Sequence, residues 1–418
     1  MARILWSGIG PWHRTAYGLL TAEFAYRIRD LGHEVVIAVM GRPERHGEAK
    51  GAEEVEAAQA GGFTFAHPDS RETKRTGLWD GMRVIGPGTR EFGLPPARVV
   101  RAAFGGHDPD LIIVLKDPWV LYLDAYDEWG CPVLVWANVD CDPIGQPDLE
   151  FFRQSDTIPV AVSKFGLSTM RKHGLKNARY VPHGIDTSYW TPGDQGAARD
   201  LAGLPRGVFI AGINAANIGP RKAWGEQFAA FASEVRRGRR DSLLLVHAAP
   251  EHPEGFNLRH IAYFHGLNAS PDRPRDDDHV RFGSNYNMRS NQMRNWYRSL
   301  DVLMACSYGE GFGVPLIEAQ ACGTPVICTD GSAMSELCGA GWVVSSTPDW
   351  EDGHCAWWRR PDAEDIEQAY EAAWQAREDG TTPALKKAAR DFGELFDIDR
   401  VFQQYMAPVL KELEDRIS

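Results

Sequence analysis

The chain has no apolar run approaching the ~20 residues needed to cross a bilayer. It also has no basic amphipathic helix of the kind that lies on a membrane surface. Its start, Met1-Ala2-Arg3-Ile4-Leu5-Trp6-Ser7-Gly8, reads as a first strand rather than a signal peptide. No membrane span is therefore expected. The seven cysteines are scattered, with no C-x-x-C pair and no Cys/His group at zinc spacing. That argues against a disulfide framework and a structural zinc, and a reducing, cytoplasmic setting is the simplest reading. A basic excess is missing too: the formal net charge is −12, which disfavours a protein that grips nucleic acid through a broad positive surface. No repeat of 20–50 residues and no low-complexity segment is apparent.

What remains is an ordinary globular composition over 418 residues, enough for two domains. Apolar strands alternate with amphipathic helices. In the first half, strands are expected at Arg3–Ser7, Glu34–Val39, Leu111–Leu115, Val133–Ala137, Ile158–Val162 and Arg179–Pro182, with a helix over Thr15–Leu31. The polar stretch Pro43–Ser70 reads as a loop or small helix. A Pro/Gly-rich stretch at Thr191–Gly196 reads as a linker. A second series follows, with strands at Val208–Ile213, Leu243–His247, Val280–Phe282, Val302–Cys306, Pro325–Cys328 and Trp342–Val344, and helices at Lys222–Val235 and Asn291–Leu300. The pattern predicts an α/β protein with two Rossmann-like domains, 1–190 and 197–395, followed by a C-terminal helical segment, 396–418.

The segment Ser307–Glu336, S-Y-G-E-G-F-G-V-P-L-I-E-A-Q-A-C-G-T-P-V-I-C-T-D-G-S-A-M-S-E, carries most of the functional information. The apolar run before it ends a buried strand, and Pro315 suits the first turn of a helix. Glu310 then sits on the loop at the carboxyl end of a strand, and Glu318 about one turn into the helix. The free amides of a helix N-terminus between them suit an anion. Two acceptors for hydroxyls flanking donors for phosphate match a nucleotide joined through diphosphate to a sugar.

This segment resembles the donor-binding signature of retaining glycosyltransferase family 4 (glycosyl transferases group 1): a glutamate pair eight positions apart within E-G-F-G-x-P-x-x-E-A-x-A-x-G-x-P-V-I. The resemblance implies the GT-B fold, two Rossmann-like domains facing across a cleft, the first on the acceptor side and the second binding the nucleotide-sugar donor, with the terminal helix crossing back to the first domain. It implies that Glu310 approaches the donor sugar and Glu318 the ribose, with Gly311, Phe312, Gly313 and Val314 lining the donor. It further implies that a Lys and an Arg from the loop Ile213–Lys222 clamp the diphosphate. Lys222 matches the Lys; Asn217 falls where the Arg is common, and Arg221 is the nearest substitute. Gly10, in the turn Gly8-Ile9-Gly10-Pro11, would face the donor from the first domain. Asp140 would orient the acceptor or take its proton. Tyr286 would lie beside the base. The turn Val181–Asp186, with His183 and Asp186, reads as cleft wall and hinge.

Asp140-Cys141-Asp142 is formally a D-x-D, but lies away from the expected clamp, so no metal site is assigned. The implied function is transfer of a hexose or pentose from a nucleotide-diphosphate sugar, as co-substrate, with retention and without a cofactor or metal. The acceptor is open: a glycan, a small molecule, or a modified nucleobase, so that nucleic acid enters only as acceptor substrate. The competing readings are a non-catalytic nucleotide-sugar binding protein, or another GT-B enzyme such as an epimerase or phosphorylase.

Overall fold

The computed structural model describes residues 1–11, 13, 15–40, 64–66, 73–75, 78–86, 92–126, 128–238, 241–270, 275, 277–283, 288 and 290–417. The chain divides into two compact units. One comprises Met1–Val139, Pro143–Gly184 and Ile398–Ser418; the other comprises Asp140–Asp142 and Ile185–Asp397. No helix among the described residues is long and apolar enough to cross a membrane.

The first unit is built on an eight-stranded sheet. Its spatial order is Arg179–Tyr180, Ile158–Ala161, Val133–Ala137, Leu111–Leu115, Arg3–Gly8, Glu34–Val39, Met82–Ile85 and Leu78–Trp79, parallel except for the last strand. The central strands are wholly apolar because helices cover both faces. Thr15 caps the helix Ala16–Asp30 by accepting from the Gly18 amide, so the helix starts one residue later than its apolar pattern suggests. The terminal segment belongs to this unit. It runs Ile398–Val401, a π-turn over Phe402–Met406, then Ala407–Ile417. Phe402 is buried 6.1 Å from the Phe24 ring, and Arg27 bonds Asp399 at 2.7 Å. Of the stretch 43–70 only Thr64–Ala66 is described, as a strand pairing antiparallel with Thr73–Arg75.

The second unit has a six-stranded parallel sheet in the order Val280–Phe282, Ser242–His247, Phe209–Asn214, Val302–Ala305, Val326–Thr329, Gly341–Val344. In chain order this is 3-2-1-4-5-6, the doubly wound Rossmann order, whose strand direction of progress reverses between its first and fourth members. Ligands bind such sheets outside the carboxyl ends at that switch point. The switch point here lies between Asn214 and Ala305.

Three features depart from the sequence expectations. The chain passes between units at Gly184/Ile185, ahead of the 191–196 stretch, where Asp194 instead caps a helix over Gln195–Leu201. The helix expected from Lys222 begins at Trp224. Pro220–Lys222 forms a separate 3₁₀ turn, bounded by Gly219 at φ +60° and by Ala223 at φ +47°. Lastly, Ser346–Glu351 and Ala356–Pro361 form an antiparallel hairpin that the strand reading omitted.

Candidate active site

A pocket opens at the switch point of the second unit. Asn214 and Ala215 line it from the first strand, Ala305 and Ser307 from the fourth, and Gly313, Pro315 and Leu316 from the following helix; Lys222 and Glu310 complete it. The helix Val314–Ala321 thus directs its N-terminus at the pocket, with Gly313 as its cap at φ +103°, a conformation that side chains other than glycine's rarely adopt.

Glu310 is the charged centre. Its Oε2 accepts from Arg221 Nη1 at 2.9 Å, and its Oε1 accepts from Lys222 Nζ and from Ser307 Oγ, the latter at 2.7 Å. Its amide donates to Ser332 Oγ at 3.0 Å and its carbonyl accepts from the Ala333 amide at 3.3 Å, so the loop is fixed at both backbone atoms. Burial alone would raise the Glu310 carboxyl; the Arg221 and Lys222 charges overcome it and hold the group down at about 2. Burial, then the neighbouring Arg221 charge, lower the Lys222 ammonium below the usual lysine range.

The two cations are held by backbone as well as by charge. The Arg221 carbonyl accepts from the Tyr308 amide at 2.7 Å, and the Lys222 carbonyl accepts from Gln227 Nε2 at 2.8 Å. Gln227 Oε1 in turn accepts from the Cys306 amide at 3.4 Å. The 3₁₀ turn is therefore tied to the end of the fourth strand, which brings Arg221 and Lys222 to Glu310 across almost ninety residues of sequence.

Glu318 is 7% exposed, and its Oε2 accepts from Tyr297 Oη at 2.8 Å. Burial pushes its carboxyl up to about 7, against the pull of the Tyr297 hydroxyl. Asp140 groups with the second unit. Its Oδ2 lies 3.7 Å from Arg221 Nη1 and its Oδ1 3.5 Å from Trp358 Nε1. Gly309 passes against the Asp140 carbonyl so closely that a Cβ there would sit 2.3 Å from the oxygen. The other acid of the D-x-D, Asp142, bonds through its amide to the Trp357 carbonyl at 3.2 Å. Among the described residues no group of three or more His, Cys, Asp or Glu side chains is placed to hold a metal ion.

Two expected donor contacts are otherwise engaged. Asn217, 1% exposed, donates to the Ala249 and Phe256 carbonyls at 3.0 and 2.7 Å and accepts from the Phe256 amide at 3.0 Å. Its side-chain amide thus fastens the 249–256 loop. Phe312 is 3% exposed and packs against Phe396 at 5.8 Å, so its ring is core; of Gly311, Phe312, Gly313 and Val314, it is Gly313 that lines the pocket. Tyr286 lies outside the described residues. His183 is buried against the Trp136 ring at 5.1 Å and belongs to the first unit's core.

Gly10 follows the first strand of the first unit, whose own switch point lies between Arg3–Gly8 and Leu111–Leu115. Its carbonyl accepts from the His13 amide at 3.0 Å, and Gly18 passes so close beneath that a Cβ there would meet the His13 oxygen at 2.2 Å. Beside this loop the sequence reading missed a polar cluster. Tyr17 donates to Asp117 Oδ1 at 2.8 Å, Asn138 donates to the Tyr17 hydroxyl, and Lys116 lies 4.8 Å over the Tyr17 ring. Lys116 and Asn138 follow directly on the carboxyl end of a sheet strand and Asp117 one residue later, and that position was the available signal.

The family model described as Glycosyl transferases group 1 matches residues 230–369. D-inositol 3-phosphate glycosyltransferase 2 of Catenulispora acidiphila is 35% identical over 147 residues, covering 35% of this chain and 33% of that protein. The D-inositol 3-phosphate glycosyltransferase of Saccharomonospora viridis is 29% identical over 233 residues, 51% of each chain. The chain thus spans between a third and a half of these curated relatives. Among solved structures, the sucrose-phosphate synthase of Thermosynechococcus elongatus superposes over 100% of both chains with TM-score 0.70 at 16% identity. Anabaena Alr3699/HepE, solved in complex with UDP and glucose, superposes over 99% of this chain and 100% of its own with TM-score 0.67 at 17% identity. The fold is GT-B, and residues 230–369 match a group 1 glycosyl transferase domain within it.

Proposed function

We propose that this chain is a cytoplasmic, retaining glycosyltransferase of family 4 that moves a hexose or pentose from a nucleotide-diphosphate sugar to an acceptor hydroxyl or amine. The observation that carries this reading is the pairing of Glu310 with Arg221 and Lys222, where Lys222 and Glu310 line a pocket at the Rossmann switch point of the second unit. A carboxylate sits on both cations, so both are aimed at one oxyanion position. A diphosphate brings more charge to that position than Glu310 does, and its arrival frees Glu310 to accept from the hydroxyls of the sugar. As the glycosidic bond breaks, negative charge grows on the leaving phosphate, where Arg221, Lys222 and the helix N-terminus stabilise it. In this reading side chains and amides, not a metal ion, supply the positive charge. Attack comes from the same face as departure, and the leaving phosphate takes the acceptor's proton. Asp140, beside Arg221, orients the acceptor.

The test begins with UDP- and GDP-sugars screened by thermal shift, since a ligand that binds the native state raises its melting temperature. Transfer is then assayed with and without EDTA, and the anomeric configuration of the product read by NMR. The acceptor panel starts with inositol phosphates, after the curated relatives, and extends to glycans and modified nucleobases. A stabilising donor, EDTA-insensitive transfer and a retained anomer are expected. An inverted product or no donor binding would refute the reading.

A further inference from the structure

A chain of hydrogen bonds in the second unit starts at the end of the second strand, part-buried, and finishes buried on Glu318. His247 and Asn214 are the last residues of adjacent parallel strands and face each other in register. His247 Nδ1 lies 2.8 Å from Asn214 Oδ1, Asn214 Nδ2 lies 2.7 Å from Tyr297 Oη, and Tyr297 Oη lies 2.8 Å from Glu318 Oε2. The ionised form of Glu318, the form that hydroxyls donate to, sets the direction of each link. That carboxylate only accepts, so the single hydroxyl proton of Tyr297 points at Glu318. The hydroxyl oxygen then accepts from the Asn214 amide nitrogen, which leaves the Asn214 carbonyl to accept from His247 Nδ1–H.

Packing is arranged to allow this. Tyr297 is fully buried on the helix Ser290–Ser299, and that helix comes close to the first strand because residue 212 is glycine. A Cβ at Gly212 would sit 2.4 Å from Leu300 Cδ1 and 2.8 Å from the Trp296 ring. The middle of the relay, Asn214, lines the same pocket as Lys222 and Glu310.

We propose that His247, Asn214 and Tyr297 are positioning residues that hold the Glu318 carboxylate in one orientation, and that this orientation selects ribonucleotide over deoxyribonucleotide donors. The inference rests on the donor reading above. A carboxylate pinned through Oε2 cannot turn about its last bond, so its remaining lone pairs point in fixed directions. The vicinal hydroxyls of a ribose offer two donors at a fixed separation. A sugar without them leaves a buried acceptor unpaired, which is the strongest form of discrimination a binding site has.

The test is calorimetric titration of the full chain with UDP and GDP and with their 2′,3′-dideoxy counterparts, for the wild type, Tyr297→Phe and Asn214→Ala. The wild type is expected to bind one ribonucleotide at least about tenfold more tightly than its dideoxy form, as loss of hydrogen bonds to a charged group implies. Tyr297→Phe should collapse that ratio by weakening the ribonucleotide alone, with dideoxy affinity held within about twofold; Asn214→Ala should do the same to a smaller extent. If Tyr297→Phe fails to fold, Asn214→Ala decides on the same ratio. Equal weakening of both nucleotide forms, or an unchanged ratio, would overturn the relay while leaving the donor reading intact. A wild type that binds neither UDP nor GDP would overturn both.

Discussion

At the switch point of the second sheet Arg221, Lys222 and Glu310 meet within bonding distance; at that of the first sheet Tyr17, Lys116, Asp117 and Asn138 meet instead. The topological position is the same, and the chemistry diverges in the turn after the first strand. In the second unit that turn is Gly219–Ala223, a 3₁₀ turn that delivers two adjacent cations to one carboxylate. In the first it begins with Gly8–Pro11, which carries no charge, and Lys116, directly after the strand Leu111–Leu115, lies over the Tyr17 and Phe92 rings at 4.8 and 5.0 Å and 3.5 Å from Asp117. A Rossmann switch point therefore supplies a place for a ligand but not the identity of one. The side chains that follow the strand ends decide whether the place suits a diphosphate or a less charged, hydroxyl-bearing group.

The largest expected effect lies on the charged side of this contrast. Lys222→Ala and Glu310→Ala should each lower kcat for transfer on the order of 10²-fold, the scale seen when one preorganised charge-stabilising group is removed. The matching change in the first unit, Asp117→Asn, should leave nucleotide-sugar affinity within about twofold while lowering transfer to the acceptor. Equal loss of donor affinity in Asp117→Asn and Lys222→Ala would erase the distinction between the two sites.

Next in size is a pH effect at Glu318. Its carboxyl titrates at about 7 in the folded protein, raised by burial. Ribose hydroxyls donate to the ionised form, so affinity for a nucleotide-sugar should rise as pH goes from 6 to 8 and level off above. The phosphates of a nucleotide-sugar are diesters and do not titrate in that window. Glu318→Gln should bind more weakly and flatten the profile; an unflattened profile would place the titrating group elsewhere. Stability should run the other way. A folded pKa above the unfolded one means that the Glu318 contribution is full below about 4.5 and is lost as pH rises through about 7. Glu310, held at about 2, contributes stability above about 4.5 that is lost as pH falls through its folded value. Chemical denaturation of Glu310→Ala and Glu318→Gln across pH 3–8 separates the two.

The smallest effect tests packing rather than charge. Gly212→Ala forces a methyl against Leu300 and Trp296 and should cost about 1–3 kcal/mol, read as a lowered denaturation midpoint. Because that contact seats the helix carrying Tyr297, ribonucleotide affinity should fall as well.

Much of this site was legible in the sequence because its pieces are local. The Glu310–Glu318 spacing, Gly313 and Pro315 occupy one strand–turn–helix, and the pattern there determines where each side chain emerges. The rest was hidden because it is long-range. Tyr297 reads as one more apolar residue on an amphipathic helix until Asn214 and Glu318 are seen at either side of its hydroxyl. Asn217 reads as a phosphate ligand until the 249–256 loop is seen consuming its amide. Lys222-Ala223-Trp224 reads as continuous helix because alanine favours one. Hydrogen bonds from Gln227 and Tyr308 hold the preceding turn, beside a left-handed Ala223. The hairpin at 346–361 was recoverable: Asp352-Gly353 between tryptophan-bearing segments is a turn signal of the kind that joins paired strands.

In the proposed reaction the pocket between Asn214 and Ala305 takes the donor, and Arg221 and Lys222 hold its diphosphate. A crystal of the chain grown with the UDP- or GDP-sugar that stabilises it most tests this directly. Phosphate oxygens are expected within hydrogen-bond distance of both cations, with Glu310 turned to the sugar. Phosphates bound at another place, with Glu310 still bonded to Arg221 and Lys222, would contradict it.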